Sequence, residues 1–600
     1  MVWFGLEAEE YDRKYADKVL INRIIPYFKP YRKEMLYVII TLTLSSVLNS
    51  MIPILISNLI DRINNSENFL VQIILIIIIF LFNIISWVLN WIQQRNSATV
   101  VANIAYDLQK NASDAVLKQN LAFFDRNAVG KVVSRVNSDT KSFKDMGGLF
   151  MQSVSSFLVV IIVFIPMLII SPFLTLILAL MIPFIFLTAL SFRKSARKKT
   201  LLGQRSTAQV NNFTRETMMG IQIAKVFRQE QKLYDQFNKI NRQSYKVNLE
   251  RGILLNILFP ILMLIQSVTV ALLIYVGGGR VISGFLSVGD FYLFLQNLWL
   301  LFFPLFSVAS FWPQFQSGLS ALERIFSLID APKTIIQNDD RKIEIRKGLI
   351  EIEDLDFQYY DNTKVYEKFS LKIDSGESIA IVGHTGAGKS TLAKILGRFY
   401  EFQNGSIRID GLNIRDLNLD HYRSQIAFVP QTPFIWADTL ENNIKYGRPS
   451  ATREDVINVL ESAGGADWVD DLPDGIQTNV KEKGKILSMG QKQLVAFARI
   501  LLEDPRILIL DEATASVDPF TEIRIQDALE KTLKNRTSII IAHRLWTVRR
   551  VDRIIVLDHG RIVEQGNHHQ LLKQKGYYAR LYNKYFRHQS FEYVQSLKDV

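Results

Sequence analysis

The amino-acid sequence predicts an all-α membrane domain with six transmembrane helices extended into the cytoplasm, followed by an α/β domain built on a phosphate-binding loop. Three observations carry that reading. Residues 146–192 hold no charged side chain, whereas residues 481–492 hold five in twelve, a contrast that excludes a single soluble globule. The run Ser378-Ile379-Ala380-Ile381-Val382 leads into Gly383-His384-Thr385-Gly386-Ala387-Gly388-Lys389-Ser390, and then into helical Thr391-Leu392-Ala393-Lys394-Ile395-Leu396. The chain is also basic, with a formal net charge of +12 over 600 residues.

Taken in order, Glu7, Glu9, Glu10, Asp12 and Asp17 precede any apolar run, so the start does not read as a signal peptide. The absence of Cys excludes a disulfide scaffold and a Cys-based zinc or redox site. Residues 18–33 place Val19, Leu20, Ile24, Ile25 and Phe28 among Lys18, Arg23, Lys29, Arg32 and Lys33. That pattern suits an amphipathic helix lying in the membrane interface, with a soluble amphipathic helix as the alternative. A bilayer crossing needs about 20 apolar residues. Six such spans are expected, at 36–60, 69–92, 148–170, 173–192, 253–276 and 291–312, with Ser171-Pro172 as the turn between the third and fourth.

Loop charge orients these spans. Segments 61–68, 171–172 and 277–290 hold Arg62 and Arg280 against Asp61, Glu67 and Asp290, a net charge of −1, which leaves +13 for the opposite side. Positive-inside topology then places both termini and the long loops in the cytoplasm, and the basic balance needs no nucleic-acid partner. The loops at 95–146 and 193–251 read as helical arms. Val101, Ile104, Leu108, Ala112 and Ala115 share one face, as do Val226, Leu233, Phe237 and Ile240. Arms of about 25 residues would reach roughly 35–40 Å beyond the membrane. No ionisable residue falls inside the six spans, which argues against a proton relay. The amides Asn49, Asn83, Asn90, Gln152, Gln266, Gln296 and Asn297 suit helix-packing hydrogen bonds, or a neutral cavity for an apolar or amphipathic substrate.

In the second half the glycines of the phosphate loop let backbone N–H groups approach an anion at a helix N-terminus. Lys389 can reach β- and γ-phosphates, and the Ser390 hydroxyl can ligate Mg²⁺. Ile507-Leu508-Ile509-Leu510 reads as a buried strand ending in Asp511-Glu512. Asp511 can hold Mg²⁺ through water, and Glu512 can orient or deprotonate an attacking water.

Leu487-Ser488-Met489-Gly490-Gln491, with Ser488 placed 23 residues before Asp511, resembles the signature motif of ABC transporter ATPases. With six spans and long arms before it, the chain resembles an ABC exporter half-transporter, of the kind that includes bacterial multidrug and lipid exporters. The resemblance implies ATP and Mg²⁺ as cofactors, with ATP held by Gly383, Thr385, Gly386, Gly388, Lys389, Ser390 and Thr391. It implies that Leu487, Ser488, Gly490 and Gln491 contact the nucleotide of a partner half. Tyr359 matches the aromatic that stacks on adenine, with Tyr360 its rival and an ordinary strand aromatic the plainer account. Gln431 in Val429-Pro430-Gln431 matches the glutamine that contacts Mg²⁺. Asp518 matches the D-loop acid, and His543 the histidine that contacts the γ-phosphate. Surface or loop roles suffice for His421, His559, His568, His569 and His588. Glu482 resembles an exporter-specific loop, for which a solvated charge is the competing account. Phe123 and Phe124, in a run through Asp125-Arg126 to Gly130, resemble the first coupling segment, and Gly220-Ile221 the second.

The expected domains are an N-terminal segment at 1–34, a membrane domain at 35–327, a linker at 328–346, an ATPase domain at 347–585 and a tail at 586–600. The implied function is ATP-driven export of drugs, lipids or peptides across the cytoplasmic membrane by a dimer of halves. The alternative is an ATP-gated channel or regulatory membrane protein. Met489 departs from the glycine usual in the signature, while Glu512 and His543 follow the pattern. That combination resembles one half of a heterodimeric exporter, and a homodimer tolerating Met489 is the competing reading.

Overall fold

A computed structural model describes residues 15–66, 68–359, 363–511, 519–542 and 544–586. The chain forms two compact units, one comprising residues up to Leu117 with Ala128–Ala331, the other Lys118–Asn127 with the chain from Pro332 onward.

Among the described residues the regular structure of the first unit is helical, which satisfies the backbone within each segment as a lipid environment requires. Its helices are α1 (Asp17–Phe28), α2 (Arg32–Asn64), α3 (Phe69–Leu117), α5 (Val129–Ser134), α6 (Thr140–Ile170), α7 (Pro172–Met219), α8 (Ile221–Val226), α9 (Glu230–Ile282) and α10 (Val288–Ile329). The helix α4 (Leu121–Arg126) belongs to the second unit. Among the described residues, Lys18–Asn64, Phe69–Leu117, Val129–Ile170 and Glu230–Ile282 are long and apolar enough to cross a membrane. Shorter apolar stretches, Pro172–Ile185 and Val288–Phe302, lie in α7 and α10. Side-chain hydroxyls inside the helices bond back onto the preceding turn, as Ser46 does to the Leu42 carbonyl at 2.7 Å. Of the expected amides, Asn49 accepts from Ser86 at 2.7 Å and Asn83 donates to the Ile79 carbonyl at 2.8 Å. Gly289 marks a close approach of α10 to α2, since a Cβ there would stand 2.0 Å from the Ser57 carbonyl oxygen.

The arm periodicity holds in α3, where Val101, Ile104, Leu108 and Ala112 are buried. It fails in the second arm. Val226 ends α8, and a turn with Arg228 at φ 54° separates it from Leu233, Phe237 and Ile240 on α9. These residues therefore share no continuous helical face, because the left-handed backbone at Arg228 breaks the phase.

α1 is amphipathic. Leu20 and Ile24 are buried with α3 residues Val100 and Ile104 and α10 residues Leu322 and Phe326, while Val19, Ile21 and Ile25 are exposed. The α1 residue Arg23 forms an ion pair with Asp330 just after α10 and lies 4.2 Å from the centre of the Phe326 ring. The Tyr15 hydroxyl donates to the same carboxylate at 2.6 Å. Deeper in the unit, Arg324 holds Asp139 through two bonds of 2.6 and 2.8 Å.

The second unit contains two sheets. The strands are β1 (Ile350–Gln358), β2 (Lys364–Ile373), β3 (Ser378–Val382), β4 (Asn404–Ile409), β5 (Leu412–Asn413), β6 (Ile426–Val429), β7 (Ile507–Asp511), β8 (Thr537–Ile541), β9 (Arg553–Asp558) and β10 (Arg561–Gly566). A four-stranded antiparallel sheet runs β2-β1-β4-β5, and a six-stranded sheet runs β10-β9-β3-β8-β7-β6. Strands β9, β3, β8, β7 and β6 are parallel, and β10 is antiparallel. The helices are α11 (Lys389–Leu396), α12 (Leu419–Arg423), α13 (Leu440–Lys445), α14 (Arg453–Ser462), α15 (Ala466–Asp470), α16 (Met489–Glu503), α17 (Pro519–Leu533), α18 (Leu545–Arg550), α19 (His568–Lys573) and α20 (Tyr577–Leu581). Ala380, Val382, Leu508, Leu510 and Ile540 enter one core, and Ile379, Ile381, Ile507, Ile509 and Ile539 the other. Period-two alternation thus divides each parallel strand between two apolar layers, which explains continuous apolar runs in place of polar alternation.

His568 differs from its expected surface role. It is buried, with Nδ1 2.7 Å from the Tyr578 hydroxyl, because α19 and α20 close over it. Burial pushes its imidazole down to about 4, with Arg549 and His569 adding to the shift. A folded-state value below the unfolded 6.5 means that its contribution to stability is fully present above about pH 6.5 and is lost as pH falls toward 4. Calorimetry of the full chain should show thermal stability declining between pH 7 and 5, and His568→Gln should flatten that decline.

Candidate nucleotide site

β3 ends at Val382, and the chain turns through Gly383–Gly388 into α11. The turn needs glycine at Gly388, the residue before the helix. Its φ is +107°, a Cβ there would stand 2.9 Å from the Tyr366 hydroxyl, and its carbonyl accepts a 2.9 Å bond from that hydroxyl. Lys389 is buried and folds back over the loop, its Nζ donating to the carbonyls of Gly383 at 2.8 Å and His384 at 2.9 Å. Burial pushes the Lys389 ammonium down from its ordinary value, and Asp511 opposes that shift. The loop therefore presents a desolvated cation and a helix N-terminus together, an arrangement suited to polyanionic phosphate.

Asp511 closes β7, two strands from β3 across β8. Gln431 follows the adjacent β6 and is exposed. Gln431 and Asp511 line one cavity of about 30 Å³ with Gln493 and Trp546, room for about one water. Ser390 and Thr391 sit in the first turn of α11. The Thr391 hydroxyl lies 2.9 Å from that of Tyr359, whose ring meets Phe357 edge-on at 5.0 Å. Glu512, Asp518, His543 and Tyr360 lie outside the described residues.

The segment Leu487–Gln491 has its own local logic. Ser488 is the N-cap of α16: its hydroxyl accepts from the Gln491 N–H at 3.2 Å, and its own N–H donates to the Gln491 side chain at 2.8 Å. Leu487 and Gly490 are buried, while Met489 is 39% exposed at the first helical position. Glu482 lies in a short turn between Lys481 at φ 61° and Lys483 at φ 55°, non-glycine residues in left-handed backbone. Phe123 and Phe124 pack edge-on at 5.3 Å in α4, which Asn120 caps and Ala122 fastens into the core of β1 and β2. Gly220 is the joint between α7 and α8, and Ile221 begins α8. Two residues that sequence reasoning missed, Tyr366 and Tyr400, hold the loop and the Tyr359 ring; a single tyrosine among mixed polar and apolar neighbours carries no signal of either role.

Residues 35–305 match the family model for the ABC transporter transmembrane region, and residues 366–515 match that for ABC transporter. An ATP-dependent lipid A-core flippase of Desulfotalea psychrophila is 36% identical over 78% of this chain and 82% of its own length. The chain belongs to the ABC transporter family. A putative multidrug export ATP-binding/permease protein of Staphylococcus aureus is likewise 36% identical to this ABC transporter, over 80% of the chain and 84% of its own length. The solved structure of a bacterial Atm1-family ABC exporter with ATP bound superposes with a TM-score of 0.78 at 26% identity, covering 92% of this chain and 98% of the other. This ABC transporter is thus a multi-pass protein of the cytoplasmic membrane, a helical transmembrane domain followed by a cytoplasmic α/β ATPase domain that binds ATP.

Gly388→Ala places a side chain in left-handed backbone against Tyr366, which costs about 1–3 kcal/mol and distorts the phosphate loop. Binding of a fluorescent ATP analogue should weaken about five- to a hundredfold, the range that such a loss implies.

Proposed function

We propose that this ABC transporter is one half of a dimeric exporter that uses ATP hydrolysis to move hydrophobic or amphipathic molecules out across the cytoplasmic membrane. The observation that carries the reading is a phosphate loop with a buried Lys389 folded over it and Asp511 at the end of β7, downstream of apolar helices without ionisable residues in their expected spans. α7 and α10 complete a set of six crossings. Lipids and drugs are favoured as substrates, because one relative is named a lipid A-core flippase and another a putative multidrug exporter.

The residues present fit Mg²⁺. A hard cation takes oxygen ligands, and the Ser390 hydroxyl, the Gln431 amide oxygen and the Asp511 carboxylate are oxygen donors, the last two on one small cavity. No group of three His, Cys, Asp or Glu residues suited to a metal occurs among the described residues, so nucleotide phosphates would supply much of the coordination. When bound, Mg²⁺ neutralises charge that develops on the phosphates. Lys389 pairs with the β- and γ-phosphates, Tyr359 stacks on adenine, and Glu512 takes the proton of the attacking water. His543 and Gln431 orient the γ-phosphate side, and Asp518 lies in the D-loop that faces the partner half. The partner's nucleotide is contacted by Leu487, Ser488, Gly490 and Gln491, while Phe123, Phe124, Gly220 and Ile221 couple ATP to the spans. Alternating access follows if ATP and substrate each favour a different state.

Met489 favours a heterodimer. At the first turn of α16 it adds bulk where an anion would approach, so the site that uses this signature turns over slowly, and the competent site uses this chain's Lys389, Asp511, Glu512 and His543. Glu512→Gln should preserve ATP binding and cut turnover at least about a hundredfold; an unchanged rate would remove the assigned role. The chain purified alone in mild detergent should show little ATPase activity, with full activity appearing only with a homologous half. In vesicles, uphill movement of a fluorescent hydrophobic compound is expected, and single-channel current without uphill movement would overturn the exporter reading.

A further inference from the structure

The ring of Tyr359 is not held by the phosphate loop alone. Its hydroxyl meets Thr391 on α11, and its edge contacts are with Phe357 and, at 5.5 Å and 88°, with Tyr400. Tyr400 is buried and also meets Phe357 edge-on at 6.0 Å, with the Lys394 ammonium 5.7 Å from its ring centre. The backbone on either side of it is pinned. Arg398 donates to the carbonyls of Leu417 at 3.1 Å and Ile336 at 2.8 Å, and Glu401 accepts from Arg415 at 2.7 Å and from the Ile336 N–H at 3.0 Å. The Tyr400 side chain itself is tied at its tip, its hydroxyl donating to the carboxylate of Asp125 on α4. α4 itself is fastened by Ala122 in the core beneath and by a bond from Asn120 to Thr334. Three residues of chain join it to the end of the long arm α3.

We propose that Tyr400 is a positioning residue that ties the Tyr359 ring to α4 through Asp125, so that affinity for the adenine base depends on α4 being seated. The inference rests on the reading of Tyr359 as the adenine platform. With α4 seated, Asp125 holds the Tyr400 phenol, its ring keeps Tyr359 turned edge-on, and the face of Tyr359 is presorted for a base. When Asp125 leaves, Tyr400 regains torsional freedom and the Tyr359 ring loses a fixed edge contact. The same side chain therefore senses the intracellular segment and the nucleotide, and by linkage a bound base holds α4 in place.

The test is ATPase activity against ATP concentration for the full-length transporter in lipid nanodiscs, with its partner half where activity requires one. Tyr400→Phe and Asp125→Ala should each raise the KM for ATP about three- to tenfold, the range of one aromatic edge contact, with kcat within about twofold of wild type. Asp125→Asn, whose amide oxygen still accepts the phenol proton, should restore most of the affinity. The double variant should be no worse than the weaker single, since both remove one linkage. A KM that multiplies in the double variant overturns the proposal, as does a kcat loss at unchanged KM. Tyr359→Ala separates the two ideas. If it raises KM while Tyr400→Phe does not, the positioning role falls and the adenine platform stands; if it leaves KM unchanged, the platform and the proposal fall together.

Discussion

Alternate residues of β3, β7 and β8 enter two different apolar layers, so none of these strands can slip by one position without exchanging its two faces. The register of that parallel sheet decides where each strand ends, and the polar residues come at the ends. Val382 is the last buried residue of β3, so Gly383 starts the phosphate loop there; Leu510 is the last of β7, so Asp511 emerges beside it. Lys389 then bonds to carbonyls of its own loop while Asp511 opposes its desolvation. The chemistry of the nucleotide unit is placed by packing of isoleucine, leucine and valine, and only then tuned by charge.

In the membrane unit the ruling constraint is the unsolvated backbone. Long helices satisfy it; Ser46 and Asn83 bond back onto their own helices, and Ser86 reaches Asn49 on the neighbouring one. Charge is confined to the ends and the arms, where it forms specific pairs such as Arg324 with Asp139 and Arg23 with Asp330. The +12 balance is therefore a record of orientation, and an ABC transporter of this kind needs no nucleic acid to explain it.

Much of the candidate site could be read from sequence because it is contiguous. The phosphate loop, its lysine and its serine occupy one stretch, and the strand before Asp511 announces itself by composition. Contacts between distant segments left no such trace. Nothing in Tyr366 marks it as the partner of the Gly388 carbonyl, and nothing in Tyr400 marks it as lying between Tyr359 and Asp125. The break at Arg228 escaped periodicity because a single left-handed residue changes helical phase without changing hydrophobicity. His568 escaped because its burial comes from the packing of α19 and α20, with no apolar pattern of its own.

The capping box at the start of α16 has a chemical corollary. A hydroxyl offers one proton and two lone pairs, and at Ser488 a lone pair is already engaged by the Gln491 N–H. What Ser488 has left to give toward solvent is its proton. At a helix N-terminus, that proton adds a donor to the backbone N–H groups available to an anion settling there. The side chain that closes the helix is thus already polarised for what the helix end attracts.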